Sequence, residues 1–236
     1  PFWCLTVYYS WKIFKSKKVE LFDCIILGAV AAFGILSKYL FIYLLIAIDL
    51  LFAYFIFFKK SKKFEFKYVV SLEVFIIILI PHLIWLFDND LITIKYGFAR
   101  AGLDDGQILN HIKYPVFFAL KQIGILIPFF FLVWLLIKKI PKKLNFKDDK
   151  LIFLLFINLL PIFLVFLTSL ITGSKIRTMW MTPFYLFFGT LSVYLLQEQI
   201  KIKKLKPFII GFVFFFFLSP TIYAYVSISN DDKKTD

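Results

Sequence analysis

The chain has 236 residues, 61% of them hydrophobic, yet its 28 Lys and Arg against 15 Asp and Glu give a formal net charge of +13. The share of apolar residues exceeds that of an ordinary soluble domain. The 33 Phe, 12 Tyr and 5 Trp exclude a disordered chain, and a total of 2 Cys excludes a disulfide scaffold. With a mean hydropathy of +0.84, the composition predicts an all-α, polytopic transmembrane helix bundle.

Apolar bands recur along the chain, and a membrane helix needs about 20 mostly apolar residues. Seven bands and a shorter first one predict about seven to eight membrane helices in a single domain over residues 1–236. The bands are 2–14, 22–37, 40–58, 68–87, 115–137, 151–171, 181–197 and 207–227.

Basic residues are concentrated in every second connection. Nineteen of the 28 Lys and Arg lie in or beside residues 15–18, 59–67, 138–150 and 201–206. The positive-inside rule therefore places these loops in the cytoplasm. Residues 37–39, 88–114, 172–180 and the polar tail 230–236 are then predicted to face outward. The basic clusters would also fit a nucleic-acid surface, but their regular spacing between apolar bands favours topology signals and no nucleic-acid partner.

The beginning of the chain suggests that more sequence precedes it. Residue 1 is Pro, the first band is short, and no signal-peptide pattern is present. We therefore expect a fragment of a longer membrane protein. Within the bands, Asp49 and Glu73 are candidate functional groups, because ionisable residues inside a membrane are costly and rare.

All three predicted outward turns carry cations, where the positive-inside rule predicts few. Lysine and arginine recognise phosphate by charge and hydrogen bonding, so these side chains are candidates for holding an anionic, lipid-linked substrate. The alternative is that they extend to lipid headgroups. The candidates, with a neighbouring tyrosine, are Lys38, Tyr39, Lys95, Arg100, Lys175 and Arg177.

Four further residues near these turns could carry chemistry. Asp88 and Asp90 form an Asp-Asn-Asp sequence that could share a divalent cation, although surface solvation or helix capping is the favoured interpretation. His82 and Trp180 lie beside the same loops. We assign no metal ligand, since two histidines do not make a recognisable zinc site. A divalent cation stays open as a cofactor.

Several short motifs together resemble the glycosyltransferase 39 family of GT-C glycosyltransferases, which includes protein O-mannosyltransferases and the bacterial aminoarabinose transferase of lipid A. The resemblance rests on their order and spacing over most of residues 1–200. The motifs are Gly34-Ile35-Leu36-Ser37-Lys38-Tyr39, Pro81-His82-Leu83-Ile84-Trp85-Leu86, Tyr96 and Arg100, Lys121-Gln122-Ile123-Gly124 with Pro128, and Gly173-Ser174-Lys175 running to Trp180 and Pro183.

The resemblance implies a multi-pass enzyme of a bacterial inner membrane. It would transfer a sugar from a polyprenyl-phosphate donor to a lipid, glycan or protein acceptor on the extracytoplasmic side. The family's catalytic acid lies in the first outward loop, and no position of this sequence matches it, so the catalytic residue is unknown. By the family pattern, Lys38 and the cations of the later outward loops are the candidates for holding the donor phosphate.

Two other functions remain compatible with the sequence. A transporter or flippase of a lipid-linked or small anionic substrate would use polar groups at mid-membrane and broken helices, and Asp49 with Pro128 and Pro161 partly fits that pattern. A structural membrane subunit without a site of its own is the third interpretation, against which the outward cations weigh.

Overall fold

The protein was analysed as a computed structural model that describes residues 1–102, 107–137, 145–200 and 204–229. These residues hold no β-strand beyond an isolated bridge between Ile137 and Ile200, which confirms the predicted all-α class. Within them the α-helices are α1 (Phe2–Lys15), α2 (Leu21–Ser37), α3 (Ile42–Ala53), α4 (Lys67–Asp88), α5 (Ile92–Arg100), α6 (Asn110–Leu136), α7 (Asp149–Thr172), α8 (Phe188–Leu196) and α9 (Leu205–Ser229).

Shorter helical turns complete these elements. A 3₁₀ turn (Tyr39–Phe41) leads into α3, a π-helical turn (Tyr54–Phe58) extends it, and a 3₁₀ segment (Thr178–Tyr185) precedes α8. Residues 138–144, 201–203 and 230–236 lie outside the described residues. They carry much of two predicted Lys-rich loops and the predicted outward tail.

Each predicted apolar band corresponds to helical structure. Fewer helices than expected, however, are long enough to span a membrane. Among the described residues, five are long and apolar enough, or six if the 3₁₀ segment and α8, bent by 45°, count as one span. The five are Tyr39–Phe58, Lys67–Asp88, Asn110–Leu136, Asp149–Thr172 and Leu205–Ile228. At about 1.5 Å per residue, α1 and α2 reach only about 21 and 26 Å, below the roughly 30 Å hydrocarbon core.

The chain folds into two compact units. The first comprises Pro1–Leu120 and Asn145–Leu191, and the second comprises Lys121–Leu144 and Ser192–Asp236. The boundaries in the sequence fall within the ranges of α6 and α8. The single domain expected from the sequence stays a prediction.

The core of the first unit is aromatic and joins α1, α3, α7 and the 3₁₀ segment. Trp3 packs against Phe41 at 5.5 Å and against Phe184 at 4.9 Å between ring centroids. Phe184 and Met181 are buried in the same cluster as Leu44 of α3. Because aromatic pairs bury large areas in fixed geometry, this cluster holds the 3₁₀ segment against the start of α3.

Close helix packing in the first unit depends on Gly28. A Cβ at this position would lie 2.3 Å from the backbone oxygen of Ser71 on α4. Small residues allow helix backbones to approach closely inside membranes, and Gly28 does so between α2 and α4.

Lysines of the predicted cytoplasmic loops bind neighbouring segments of the first unit. Lys12 forms an ion pair with Asp23 at 2.7 Å, and Lys67 donates to the backbone oxygen of Val19 at 2.7 Å. Lys59 bonds the carboxylate of Asp149 and the carbonyl of Lys147. These bonds join the connections around residues 15–20, 59–67 and 145–150.

The second unit contains the end of α6 and all of α9. The rings of Phe131 and Phe215 meet edge to face at 5.9 Å. Gly211 lies against Leu135, whose Cδ1 would be 2.9 Å from an added Cβ. The 18-residue apolar window of α9 has no buried residue, which is typical of a surface that faces lipid tails.

We expect Gly28→Ala to lower the thermal unfolding temperature of the purified protein in detergent. The added methyl group meets a backbone atom that cannot rotate away, and overpacking of this kind costs about 1–3 kcal/mol. Differential scanning fluorimetry measures the change. Gly97→Ala is the matched control, because a Cβ at Gly97 of α5 has no atom within 4 Å and alanine favours a helix by about 0.5–1 kcal/mol. Equal unfolding temperatures for the two variants would contradict the packing described here.

Candidate functional site

Lys38 connects two of the predicted outward turns. The residue has extended backbone between α2 and the 3₁₀ turn that leads into α3. Its Nζ donates a hydrogen bond to the backbone oxygen of Trp180 at 2.9 Å. The Lys38 side chain is half-buried, and this burial lowers the pKa of its ammonium below the ordinary value for lysine. Trp180 contributes its carbonyl because Met181 and Phe184 bury the 3₁₀ segment in the core.

The side chain of Tyr39, the next residue, contacts other helices than Lys38 does. Its hydroxyl lies 2.8 Å from Nε2 of His82 on α4 and 2.8 Å from Oγ1 of Thr93 on α5. The ring of His82 also stacks on Trp85 at 5.8 Å. Two partners and a stacked ring fix the positions of Tyr39 and His82, so these groups are preorganised at the end of α4.

These contacts define an outer cluster of Lys38, Tyr39, His82, Thr93 and Trp180. Four of the five were predicted as site residues, and the structure brings them together from the turn after α2, from α4, from α5 and from the 3₁₀ segment. Thr93 was missed. Thr93 could not be recognised from the sequence, because a single threonine within Leu91-Ile92-Thr93-Ile94 is ordinary in a helix.

The predicted surface helix exists as α5 and exposes its cations. Arg100 donates to the hydroxyl of Tyr96 at 2.6 Å and lies 5.6 Å from the centre of that ring. Lys95 is exposed on the same helix. No described bond joins Lys95 or Arg100 to the outer cluster. Thr93, on the same helix, is the residue of α5 that contacts the cluster.

The turn at residues 172–180 is fixed from both sides. Gly173 ends α7 with a φ of +65°, and the ring of His111 lies 3.1 Å from where a Cβ would be. His111 also bonds the carbonyl oxygen of Leu170 at 3.0 Å. The backbone NH of Lys175 donates to the carbonyl oxygen of Ala101 at 2.7 Å. The loop after α5 therefore meets the turn that carries Lys175 and Arg177.

The side chains of Lys175 and Arg177 differ in exposure. Lys175 is exposed, whereas Arg177 is half-buried at the start of the 3₁₀ segment. Arg177 is three positions before Trp180, and the backbone NH of Trp180 donates to the carbonyl of Arg177 at 3.1 Å. Both cations thus lie just before the 3₁₀ segment whose Trp180 binds Lys38.

Asp88 and Asp90 lie at the exposed end of α4. Asp88 is the last residue of that helix, and Asp90 has a φ of +53° in the turn that follows. Within the described ranges, no group of three or more His, Cys, Asp or Glu side chains is placed to hold a metal ion. The two carboxylates accordingly lie in a solvated turn beside the outer cluster.

The arrangement is suited to an anion. Lys38 supplies a positive charge whose described partner is the carbonyl of Trp180, and further cations lie on α5 and in the turn at 172–180. Cations and hydrogen-bond donors fixed in advance stabilise a phosphate without having to be reorganised when it binds.

Comparison with known proteins supports the resemblance for the first part of the chain. Residues 1–85 match the family model of dolichyl-phosphate-mannose-protein mannosyltransferase. This region includes Lys38, Tyr39 and His82. The resemblance is thereby confirmed over about a third of the chain, where the sequence is similar to this family, and the long apolar helices indicate an integral membrane protein. Neither the curated proteins nor the solved structures include a match.

We expect Lys38 to react with amine-directed acylating reagents at a lower pH than the lysine of a short model peptide. Burial lowers the pKa of Lys38, so its reactive neutral amine forms earlier as the pH rises. Mass spectrometry after brief labelling across a pH series measures the midpoint. A midpoint at or above that of the peptide would contradict the lowered pKa.

We expect Tyr39→Phe to destabilise the first unit by about 0.5–1.5 kcal/mol for each hydrogen bond lost, since both bonds of Tyr39 use its hydroxyl. Chemical denaturation in detergent provides the measurement. Tyr8→Phe is the control, because Tyr8 is exposed and its described contact is with the ring of Tyr9. Equal changes in the free energy of unfolding for the two variants would contradict the hydrogen bonds described for Tyr39.

Proposed function

We propose that the chain forms part of a GT-C glycosyltransferase that takes a sugar from a polyprenyl-phosphate donor. The acceptor is a lipid, glycan or protein on the extracytoplasmic side of a bacterial inner membrane. The observation that carries the proposal is the outer cluster. Lys38 of the matched region contacts Trp180 in a cation-bearing turn 142 residues later, and the adjoining Tyr39 contacts His82 within the matched region.

In the proposed reaction, the bond between the sugar and the donor phosphate breaks, and negative charge develops on the departing polyprenyl phosphate. Lys38 is placed to stabilise that charge, because its half-buried ammonium is held at the end of α2. Lys175 and Arg177 would add charge from the adjoining turn. Such preorganised groups supply much of the rate acceleration in transfer reactions.

An acceptor hydroxyl must also lose a proton, which requires a general base. No residue of this chain is assigned that role. The family resemblance places the base in the first outward loop, and neither Asp88 nor Asp90 matches that position. Binding of the donor is therefore the step that can be tested with this chain.

We expect Lys38→Ala to weaken the binding of a fluorescent polyprenyl phosphate to the purified protein in nanodiscs. Loss of one charge-assisted hydrogen bond costs about 1.5–3 kcal/mol, which corresponds to roughly 10- to 100-fold in Kd. Fluorescence anisotropy measures the affinity. Lys17→Ala, an exposed lysine of a predicted cytoplasmic loop, is the matched control and is expected to bind normally.

Two comparisons make this experiment decisive. Lys38→Arg retains the charge and is expected to bind better than Lys38→Ala, which separates a phosphate contact from a purely structural role of the bond to Trp180. Uncharged polyprenol is expected to compete poorly. Equal competition by polyprenol, or equal affinities for Lys38→Ala and Lys17→Ala, would refute the proposed donor site.

The transporter hypothesis is favoured by a different observation, the position of Asp49 beside a cavity in the membrane-spanning part of the first unit. A flippase would move a fluorescent polyprenyl phosphate from one leaflet of a proteoliposome to the other, whereas the transferase would bind it without translocation. A dithionite-quenching assay distinguishes the two functions.

A further inference from the structure

The first unit contains a half-open cavity of about 190 Å³ between α1, α2, α3 and α4. One wall is the face of α3 that carries Asp49, and the opposite wall is the beginning of α4. Gly28 of α2 also lines the cavity, next to its close backbone contact with Ser71 of α4. Asp49 is ten residues beyond Tyr39, so a helical rise of about 1.5 Å per residue separates the cavity from the outer cluster by roughly 15 Å along the axis.

Polar residues are among those that line this cavity. They are Asp49, Thr6, Ser10, Tyr68 and Ser71. Thr6 and Ser10 are one helical turn apart on α1, which places them on the same face.

Two of these hydroxyls are buried without a partner. Thr6 and Ser10 have 0% exposure, and their hydroxyl oxygens have no hydrogen-bond partner among the described residues. Burying a hydroxyl without a hydrogen bond costs about 1–3 kcal/mol in proteins, and such groups usually bind an internal partner or a ligand. The two unsatisfied hydroxyls are therefore an independent indication that the cavity holds something polar.

Charge restricts what that ligand can be. Asp49 supplies one negative charge, and no lysine, arginine or histidine is among the described residues that line the cavity. The ion pairs described for the first unit involve Asp23 and Asp149 instead. An anion would be repelled by the carboxylate, whereas a ligand with a single positive charge would neutralise it.

We propose that this cavity binds a monovalent metal cation, Na⁺ or K⁺, together with water. Carboxylate, hydroxyl and water oxygens are the hard ligands that such ions prefer. One carboxylate balances one positive charge, whereas the acid-rich sites of divalent ions use several. Since a water molecule occupies about 30 Å³, the volume accommodates the ion with part of its hydration shell.

The cation site goes beyond the proposed sugar transfer and does not depend on it. Its ligands come from α1, α3 and α4, and none of them belongs to the outer cluster. An ion here would join these helices through a shared charge.

The test is the cation dependence of thermal unfolding and the direct binding of ²²Na⁺ by the purified protein in detergent. Sodium, potassium and choline chlorides are compared at constant ionic strength and pH. Ligands that bind only the folded state raise the unfolding temperature. We therefore expect NaCl or KCl, but not choline chloride, to stabilise the wild-type protein. Competition of unlabelled K⁺ with ²²Na⁺ shows which ion is preferred.

Two variants and one control assign the effect to the cavity. Asp49→Asn is expected to abolish both the stabilisation and the ²²Na⁺ binding. The double variant Thr6→Val with Ser10→Ala keeps the carboxylate and is expected to weaken binding by about tenfold or more, as changes around metal sites do. Glu73→Gln removes the other acid predicted within the apolar bands. Glu73 is exposed on α4 and does not line the cavity, so normal cation binding is expected.

Several results would overturn the proposal. One is a wild-type protein that neither binds ²²Na⁺ nor is stabilised by Na⁺ or K⁺, which would indicate that Asp49 is protonated. Another is equal cation dependence in the wild type and Asp49→Asn. If Asp49→Asn does not fold, the double variant decides the matter, because unchanged ²²Na⁺ affinity in it would exclude the hydroxyls as ligands.

Discussion

The cost of placing a charge inside hydrocarbon determines where nearly every polar group of this protein lies. Lysines of the first unit collect at the ends of the helices, where they bind carboxylates and carbonyls of neighbouring loops. The apolar lengths between these ends pack through aromatic rings and through a glycine that brings two backbones together. Because a polar group between the helix ends is costly to bury, each such group needs a hydrogen-bond or charge partner. The few that are present therefore point to specific interactions.

The secondary structure was largely predictable, because each apolar band is long and continuous and the backbone in a membrane must satisfy its own hydrogen bonds. The number of membrane-crossing helices was not. Composition located the bands, but length and bending decide whether a helix crosses a membrane. The bend of 45° between the 3₁₀ segment and α8 has no clear sequence signal, since Pro183 would also be tolerated near the start of a straight helix.

Much of the candidate site could be anticipated as a set of residues, but its connections could not. Cations in the outward turns stood out against the positive-inside rule, which led to Lys38, Lys175 and Arg177. That Tyr39 would bond both His82 and Thr93 depends on how α4 and α5 pack, which no local pattern encodes. Thr6 and Ser10, which line the proposed cation site, did not stand out, because serine and threonine are common in apolar helices, where their hydroxyls ordinarily bond the backbone of the preceding turn. Their spacing of four residues was the signal available.

Lys38 and Tyr39 are consecutive residues that bond to different parts of the first unit. Lys38 reaches the 3₁₀ segment through Trp180, and Tyr39 reaches α4 and α5 through His82 and Thr93. One peptide unit is thus the mechanical link between two loops that are distant in the chain. A displacement of the 3₁₀ segment would therefore act, through Lys38, on the same turn whose Tyr39 holds His82 and Thr93.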